Sequence, residues 1–318
     1  MAKPTRIFFV ADLHGSAICW RKFINAAKVY RADILLVGGD IAAKTLTPIF
    51  SSPSGWTTRV EGVVRSAAND SELERLESSL RDGATVPFRT TSAEWEELRS
   101  RRGALDEVFQ RRACEETQRW LEWARPRLEG GPTRLLLGLG NDDFTPMEQV
   151  IEADPRAELT DLAVLRLDER HELLTLPYSN PTPWATHREL SETEIARRLD
   201  EGMAQLEDPS NAVVNAHVPP FGAPLDLAPR LDAALTKVMT PGGDPELVHV
   251  GSTAVRAALE RHQPLLGLHG HIHESRGTTR FGRTLSVNCG SAYSEGALLG
   301  AVVDLGARDV RSAVLTSG

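Results

Sequence analysis

Residues 268–274, LHGHIHE, follow an apolar run that begins at Pro264 and is typical of a short buried strand. His271 and His273 are two residues apart, so in extended backbone their side chains point to the same side. Gly270 lies directly before them and allows a tight turn or a close approach of the backbone to a ligand. Imidazole is the commonest side-chain metal ligand, but surface histidines also pair by chance. The weight of this pattern therefore depends on the rest of the chain.

Four other apolar runs end in polar side chains of a similar kind. The run at 6–10 is followed by Asp12 and His14, the run at 33–37 by Asp40, the run at 134–139 by Asn141, and the run at 211–215 by His217. In α/β sheets, ligands bind beyond the carboxyl ends of the strands, so these side chains are expected to meet at one sheet edge. Each alone has an ordinary explanation as a turn residue or a buried hydrogen-bonding group. Together with the two histidines they favour a metal site.

The chemistry of the seven candidate ligands indicates which metals suit them. The set contains imidazole, carboxylate and amide groups but no cysteine thiolate, which disfavours a cage for soft metals. Seven ligands fit two ions if one carboxylate bridges them. We therefore expect two divalent metal ions, with Mn as the first choice and Fe or Zn as alternatives.

Taken in chain order, these motifs resemble those of the calcineurin-like metallophosphoesterases. The motifs are Asp12-x-His14, Gly39-Asp40, Gly140-Asn141-Asp142-Asp143, His217 and Gly270-His271-x-His273. The resemblance runs from about residue 6 to about residue 288, except for the long segment between Asp40 and Arg134. It implies an α/β fold of four layers, α/β/β/α, around two metals. It also implies that Asp12, His14 and His273 hold one ion, that Asn141, His217 and His271 hold the other, and that Asp40 bridges them.

One position departs from the family pattern. That pattern is usually Gly-Asn-His, with the histidine assisting as a general acid, whereas here the position is Asp142. An aspartate donates a proton only if burial or a neighbouring carboxylate raises its pKa, and Asp143 is adjacent. Otherwise another residue is the acid, or the leaving group needs little help. We therefore predict Asp142, Asp40 and Asn141 as catalytic residues and leave the identity of the acid open.

The resemblance implies a metal-dependent phosphoric ester hydrolase that uses metal-activated water as the nucleophile. Phosphodiesters, including nucleotide-derived ones, are the first choice of substrate because the histidine acid is missing, and phosphomonoesters are the alternative. A protein serine/threonine phosphatase is disfavoured, because that branch continues after the bridging aspartate with Asp-Arg-Gly, whereas Ile41-Ala42-Ala43-Lys44 follows here. A catalytically silent, metal-containing binding or regulatory protein stays open and is favoured by Asp142 alone.

A polar loop at 178–184 contains two prolines around a threonine, which stiffen it. Stiff polar loops on an α/β scaffold are candidate substrate contacts. The predicted substrate-binding residues are Asn180, Thr182 and Trp184. The alternative is an ordinary turn with a packed tryptophan.

The length of 318 residues fits one large domain or two small ones. We predict a single domain over residues 1–318 with a helical insertion at about 44–131. Residues 45–56 are predicted to form a loop, and leucine stripes further along predict helices. The insertion either packs beside the sheet, caps the metal cleft to select substrate, or forms a dimer contact. Near the C-terminus, strands at 284–288, 298–304 and 310–316 are expected to neighbour one another in a second antiparallel layer.

The composition of the chain limits which binding partners are expected. The net charge is −8 and Lys and Arg form no run, so no stable nucleic-acid complex is expected. The three cysteines are scattered and odd in number, which predicts free thiols rather than a disulfide framework. The N-terminus has no signal-peptide pattern and no apolar run approaches a membrane span, so a cytoplasmic enzyme without membrane attachment is expected. The expected partner is a small phosphoester substrate, and a homo-oligomer stays open.

Overall fold

Seven α-helices and eighteen strands are present in the computed structural model, which describes residues 3–318. The helices are α1 Ala17–Val29, α2 Asp70–Asp82, α3 Ser92–Ser100, α4 Ala104–Leu128, α5 Met147–Glu152, α6 Glu192–Met203 and α7 Thr253–His262. The strands are β1 Thr5–Val10, β2 Ile34–Gly38, β3 Leu46–Ser52, β4 Gly55–Val60, β5 Val63–Ala67, β6 Val86–Thr90, β7 Arg134–Gly138, β8 Ala157–Leu159, β9 Val164–Arg166, β10 Glu172–Leu176, β11 Val213–Ala216, β12 Leu227–Pro229, β13 Leu247–His249, β14 Leu266–His269, β15 Gly277–Phe281, β16 Thr284–Asn288, β17 Leu299–Leu305 and β18 Val310–Ser317.

The first of two six-stranded sheets has the order β18-β17-β1-β2-β7-β8. Strands β1, β2, β7 and β8 are parallel neighbours, and β17 and β18 extend the sheet in antiparallel pairing. Helix α1 joins β1 to β2, and it begins where the Ser16 side chain accepts a hydrogen bond from the backbone N–H of Cys19. This βαβ unit places the ends of β1 and β2 side by side.

The second sheet has the order β15-β16-β14-β11-β10-β9. Its central strands β16, β14, β11 and β10 are parallel, and β9 and β15 pair antiparallel at the two edges. Strands β9 and β10 pair antiparallel as a hairpin. Parallel pairing aligns the carboxyl ends of β11 and β14 at one edge of this sheet.

The two sheets pack face to face through alternating apolar side chains. Ile7 and Phe9 of β1 meet Leu266 and Leu268 of β14 in the buried layer between the sheets. The opposite face of the first sheet is covered by α1 and α4, and that of the second sheet by α6 and α7. The order of layers is therefore helix, sheet, sheet, helix, as predicted.

The segment between β2 and β7 is not purely helical, so that part of the prediction was wrong. It contains a four-stranded sheet of order β5-β4-β3-β6, and the predicted loop at 45–56 is largely β3 and β4. This sheet packs on α2 through a small cluster around Ile49 and Leu73. Helix α4 lies beside α1 on the first sheet, with the Trp20 and Trp120 rings stacked 4.9 Å apart.

The three C-terminal strands do not form one layer, which corrects the second prediction about topology. Strand β16 belongs to the second sheet, whereas β17 and β18 belong to the first, beside β1. The three cysteines are free thiols, as expected. Within residues 3–318, none of the helices has the length and apolar character needed to cross a bilayer.

Candidate metal centre

The predicted ligands follow the carboxyl ends of five strands, three in the first sheet and two in the second. Asp12 and His14 follow β1, Asp40 follows β2 and Asn141 follows β7; His217 follows β11, and His271 and His273 follow β14. All seven are buried or half-buried. Because the sheets are stacked, their strand ends bring these side chains into one shared cleft.

One group of ligand atoms consists of Asp12, His14 and His273. The two Nε2 atoms of His14 and His273 lie 3.1 Å apart. The Asp12 Oδ1 atom lies 3.3 Å from His273 Nε2 and 3.7 Å from His14 Nε2. Three potential ligand atoms from two different sheets thus surround one small volume.

A second group consists of Asp40, His217 and His271. The Asp40 Oδ2 atom lies 3.3 Å from His217 Nε2 and 3.6 Å from His14 Nε2. Asp40 therefore faces a histidine from each group. This is the position that a bridging carboxylate must occupy.

The spacing of these atoms fits coordination of a metal. Metal–nitrogen and metal–oxygen bonds of about 2.1 Å, at tetrahedral or octahedral angles, place neighbouring ligand atoms about 3.0 to 3.5 Å apart. The shortest distances between ligand atoms in the two groups, 3.1 Å and 3.3 Å, fall in this range. Such crowding of nitrogen and carboxylate atoms is expected where an ion holds them.

Three buried polar atoms of the site have no hydrogen-bond partner within residues 3–318: His14 Nδ1, Asn141 Oδ1 and His217 Nε2. His217 uses its other nitrogen, because its Nδ1 lies 3.1 Å from the carbonyl oxygen of Gly38. That contact orients the ring so that Nε2 faces the cleft, where it can bind a metal once the ring is neutral, as in metal-ligating histidines. Asn141 donates from Nδ2 to the Thr186 hydroxyl at 2.9 Å, which leaves its Oδ1 free as a ligand atom.

The backbone is left-handed at four of the predicted ligands. Asp12, His14, Asp40 and His271 have φ angles of 57°, 41°, 56° and 66°. Residues other than glycine adopt this region rarely, and such strain concentrates at functional sites. At each of these positions the chain turns sharply beyond its strand, which directs the side chain back into the cleft.

Glycines let the ligand segments approach one another. A Cβ atom at Gly270 would lie 2.4 Å from the Asp12 carboxylate, and one at Gly140 would lie 2.2 Å from Asp40 Oδ1. Neither carboxylate could stay in place beside a larger residue. The glycines of two motifs are therefore required by packing against carboxylates from other strands.

Comparisons with known proteins agree with this architecture. No family model matches the sequence. A stretch of 112 residues is 31% identical to the uncharacterized protein MJ1162 of Methanocaldococcus jannaschii, and it spans 35% of this chain and 44% of that protein. One solved structure aligns over 98% of both chains with a TM-score of 0.61 and 16% identity. The structure of TT1561 from Thermus thermophilus aligns over 99% of this chain and 98% of its own, with a TM-score of 0.54 and 13% identity.

The four layers, the order of the motifs and these full-length matches decide the fold. The chain has the calcineurin-like metallophosphoesterase fold. Within this fold, Asp12, His14 and His273 form one group of potential metal ligands, and Asp40, His217 and His271 form another.

The charges of the centre shape the pKa values of its side chains. Burial raises the pKa of Asp12, but His273 and His217 outweigh burial and lower it to about 2. Burial lowers the pKa of His14 to about 3 and that of His271 to about 4. Burial also acts against the charged form of His217, but the neighbouring Asp40 outweighs it and raises the pKa to about 10.

Asp143, which the sequence analysis considered only as a carboxylate adjacent to Asp142, is a buried residue that binds the backbone of neighbouring segments. Its buried carboxylate accepts hydrogen bonds from the backbone N–H groups of Ile41, Ala42 and Gly140, at 3.1, 2.7 and 2.8 Å. Burial and the nearby Asp40 raise its pKa to about 7. Asp143 thus joins the segments that carry Asp40 and Asn141. Burial and Asp40 also raise the pKa of Asp142, while Lys44 opposes them.

Sequence reasoning missed two residues that border the centre. Lys44 Nζ lies 3.0 Å from Asp142 Oδ2. The ring of Tyr293 lies 4.7 Å from that of His14 and 5.7 Å from that of His273. Neither lies in a recognisable motif, and each reaches the site through the tertiary fold alone.

The residue that connects this region to the centre lies two positions beyond the loop predicted to bind substrate. Asn180 donates to the Val250 carbonyl at 3.2 Å and Thr182 donates to Glu189 at 2.6 Å, while Trp184 is 63% exposed. Thr186 makes the hydrogen bond to Asn141. Substrate binding by Asn180, Thr182 and Trp184 stays a prediction.

Proposed function

We propose that the protein is a metal-dependent phosphoesterase that hydrolyses phosphodiesters by attack of water at a centre of two divalent ions. The observation that carries the proposal is the convergence of nitrogen and carboxylate ligand atoms from two sheets at 3.1 to 3.7 Å, with a carboxylate between the two groups. The fold supports it, since this architecture places the cleft at the strand ends.

The residues present fit the two ions. Asp12, His14 and His273 would hold the first, and Asn141, His217 and His271 the second, with Asp40 between them. Bound there, two divalent ions supply Lewis acidity, polarising the phosphoryl oxygen and lowering the pKa of water. Mn suits this mixture of imidazole, carboxylate and amide groups, with Fe or Zn as alternatives.

The chain's own residues orient the reacting groups. Asp40 Oδ1 accepts the Asp142 backbone N–H at 2.9 Å, which leaves Oδ2 to face the histidines. Asp12 is held by the backbone N–H of His271, at 3.1 and 3.0 Å from its two oxygens. Each carboxylate therefore has a fixed direction before substrate binds, which lowers the cost of reorganisation during reaction.

The substrate class is tested with two aryl esters on metal-stripped protein refilled with Mn, Zn, Mg or Fe. We expect turnover of bis-p-nitrophenyl phosphate to exceed that of p-nitrophenyl phosphate and to depend on the added metal. Preferential cleavage of the monoester would replace the diester proposal with the phosphomonoesterase alternative. Full metal occupancy without turnover of either ester would contradict the hydrolase and favour a silent binding protein.

Metal affinity should rise with pH because His217 must lose a proton to bind. In the metal-free protein its pKa is raised to about 10, so it is protonated at neutral pH. Ligation needs the neutral ring, so each binding event releases at least one proton, and the Mn association constant should rise about tenfold per pH unit between about pH 6 and pH 8. Calorimetric titration in two buffers of different ionisation enthalpy measures both quantities. An affinity independent of pH would contradict the assignment of His217.

A further inference from the structure

Lys44 brings a positive charge to the edge of a centre that is otherwise rich in carboxylates. Its Nζ lies 3.0 Å from Asp142 Oδ2, and that same oxygen lies 3.9 Å from His14 Nδ1. The backbone N–H of Asp142 donates to Asp40. Asp142 therefore connects the ammonium group to His14 of the first metal group and to Asp40, which faces both groups.

The backbone that leads to Lys44 is fixed. Ile41 and Ala42 donate to the buried Asp143 carboxylate, and the carbonyls of Asp40 and Ile41 accept from the backbone N–H groups of His14 and Gly15. The residues from Ile41 to Ala43 are buried, whereas the Lys44 side chain is 43% exposed. The ammonium group is thus held in direction by a rigid segment and remains accessible to a molecule in the cleft.

The contacts of Asp142 define its part in this arrangement. Its carboxylate accepts from the Lys44 ammonium, and its backbone holds Asp40. A carboxylate engaged with an ammonium group at 3.0 Å is suited to holding that cation in place. Lys44 then presents a positively charged, proton-bearing group beside the predicted metal ligands.

We propose that Lys44 binds the leaving-group oxygen of the phosphoester and that Asp142 is its positioning residue; this inference rests on the hydrolase function proposed above. When water attacks, a new O–P bond forms and the P–O bond to the leaving group breaks. The leaving oxygen departs with the electron pair of the broken bond, and the ammonium group opposes its negative charge. The proton that the attacking water releases reaches the leaving oxygen through solvent.

The test compares two diesters that differ in the basicity of their leaving groups, diphenyl phosphate and bis-p-nitrophenyl phosphate. Charge develops more strongly on the phenyl oxygen, so Lys44→Ala should lower kcat for diphenyl phosphate by about 10²-fold to 10³-fold. The loss for the activated ester should be at least about tenfold smaller. Lys44→Arg, which keeps the charge, should retain most of the rate on both. Bound metal per chain is measured in every variant and should not change.

Lys28→Ala is the matched control, because Lys28 is exposed at the far end of α1, about 17 Å along the helix from its start. It should leave both rates unchanged. Equal losses on both esters in Lys44→Ala, with metal content intact, would overturn the leaving-group role. A selective loss in Asp142→Asn without one in Lys44→Ala would also overturn it. Absence of wild-type turnover on either ester would instead refute the hydrolase itself.

Discussion

Replacing Asp40 with asparagine is expected to abolish metal-dependent hydrolysis, with a loss of at least about 10⁴-fold in kcat/KM, equivalent to about 5 kcal/mol of transition-state stabilisation. Asp40 Oδ2 faces one histidine of each metal group, and asparagine keeps the shape but removes the charge that a bridging ligand needs. The centre should then hold fewer than two ions per chain. Steady-state rates on the diester and metal content by mass spectrometry measure the two effects.

The control for this variant is Asp106→Asn, which removes an exposed carboxylate in the first turn of α4. It should keep full metal content and rate. An Asp40→Asn protein that binds two ions and turns over the diester at a normal rate would show that Asp40 does not bridge. Circular dichroism of both variants separates a lost centre from a lost fold.

Replacing Arg188 with methionine is expected to lower the free energy of unfolding by about 3 to 5 kcal/mol, the usual cost of removing one member of a buried ion pair. Arg188 is 4% exposed, and its guanidinium donates to Asp161 at 2.9 Å and to Glu148 at 2.7 Å. Without Arg188, no guanidinium pairs with the buried Asp161 carboxylate. Burial raises the pKa of Asp161 to about 6 even while Arg188 is present. Urea unfolding at neutral pH measures the difference.

Two further variants make the Arg188 result specific. Arg188→Met combined with Asp161→Asn should recover part of the loss, because no uncompensated charge remains buried. Arg197→Met removes exposed ion pairs on α6 and should leave the unfolding midpoint unchanged. Equal stability of Arg188→Met and wild type would show that the pair is not needed.

The sequence indicated that the candidate ligands would lie close together, because each of them follows a strand that is apolar on both faces. Runs such as those before Asp12 and Asp40 cannot lie at a surface, so they are central strands, and the polar residues after them must lie at strand ends. The edge at which parallel strands end then brings distant residues together without any knowledge of the pairing. The local pattern of apolar runs followed by polar residues was therefore enough to predict that these side chains lie close together.

The sequence analysis did not predict the four-stranded sheet of the insertion, because the local sequence there favours a loop. Pro48 removes a backbone donor, but it lies outside the part of β3 that pairs with β4, which begins at Phe50. Strand β5 exposes Val63 and Val64 and so shows no buried stripe. Its β-structure is stabilised by packing on α2, which local propensity does not encode.

Local sequence patterns also did not predict which strands and side chains pair with one another. The strand pattern at β16, β17 and β18 was recognised, but nothing in it indicates which sheet each joins. The Lys44–Asp142 ion pair joins residues far apart in sequence, and no sequence motif indicates it. Local sequence therefore defines strands and their ends, whereas sheet membership and side-chain partners depend on the whole chain.

The position of β1 has a consequence for how the chain is made. β1 lies between β2 and β17, so it pairs on one side with residues synthesised soon after it and on the other with residues 299–305. During synthesis one edge of β1 stays open until that segment emerges, and an open edge is a site for pairing with other chains. Nascent or truncated chains that lack β17 should therefore aggregate.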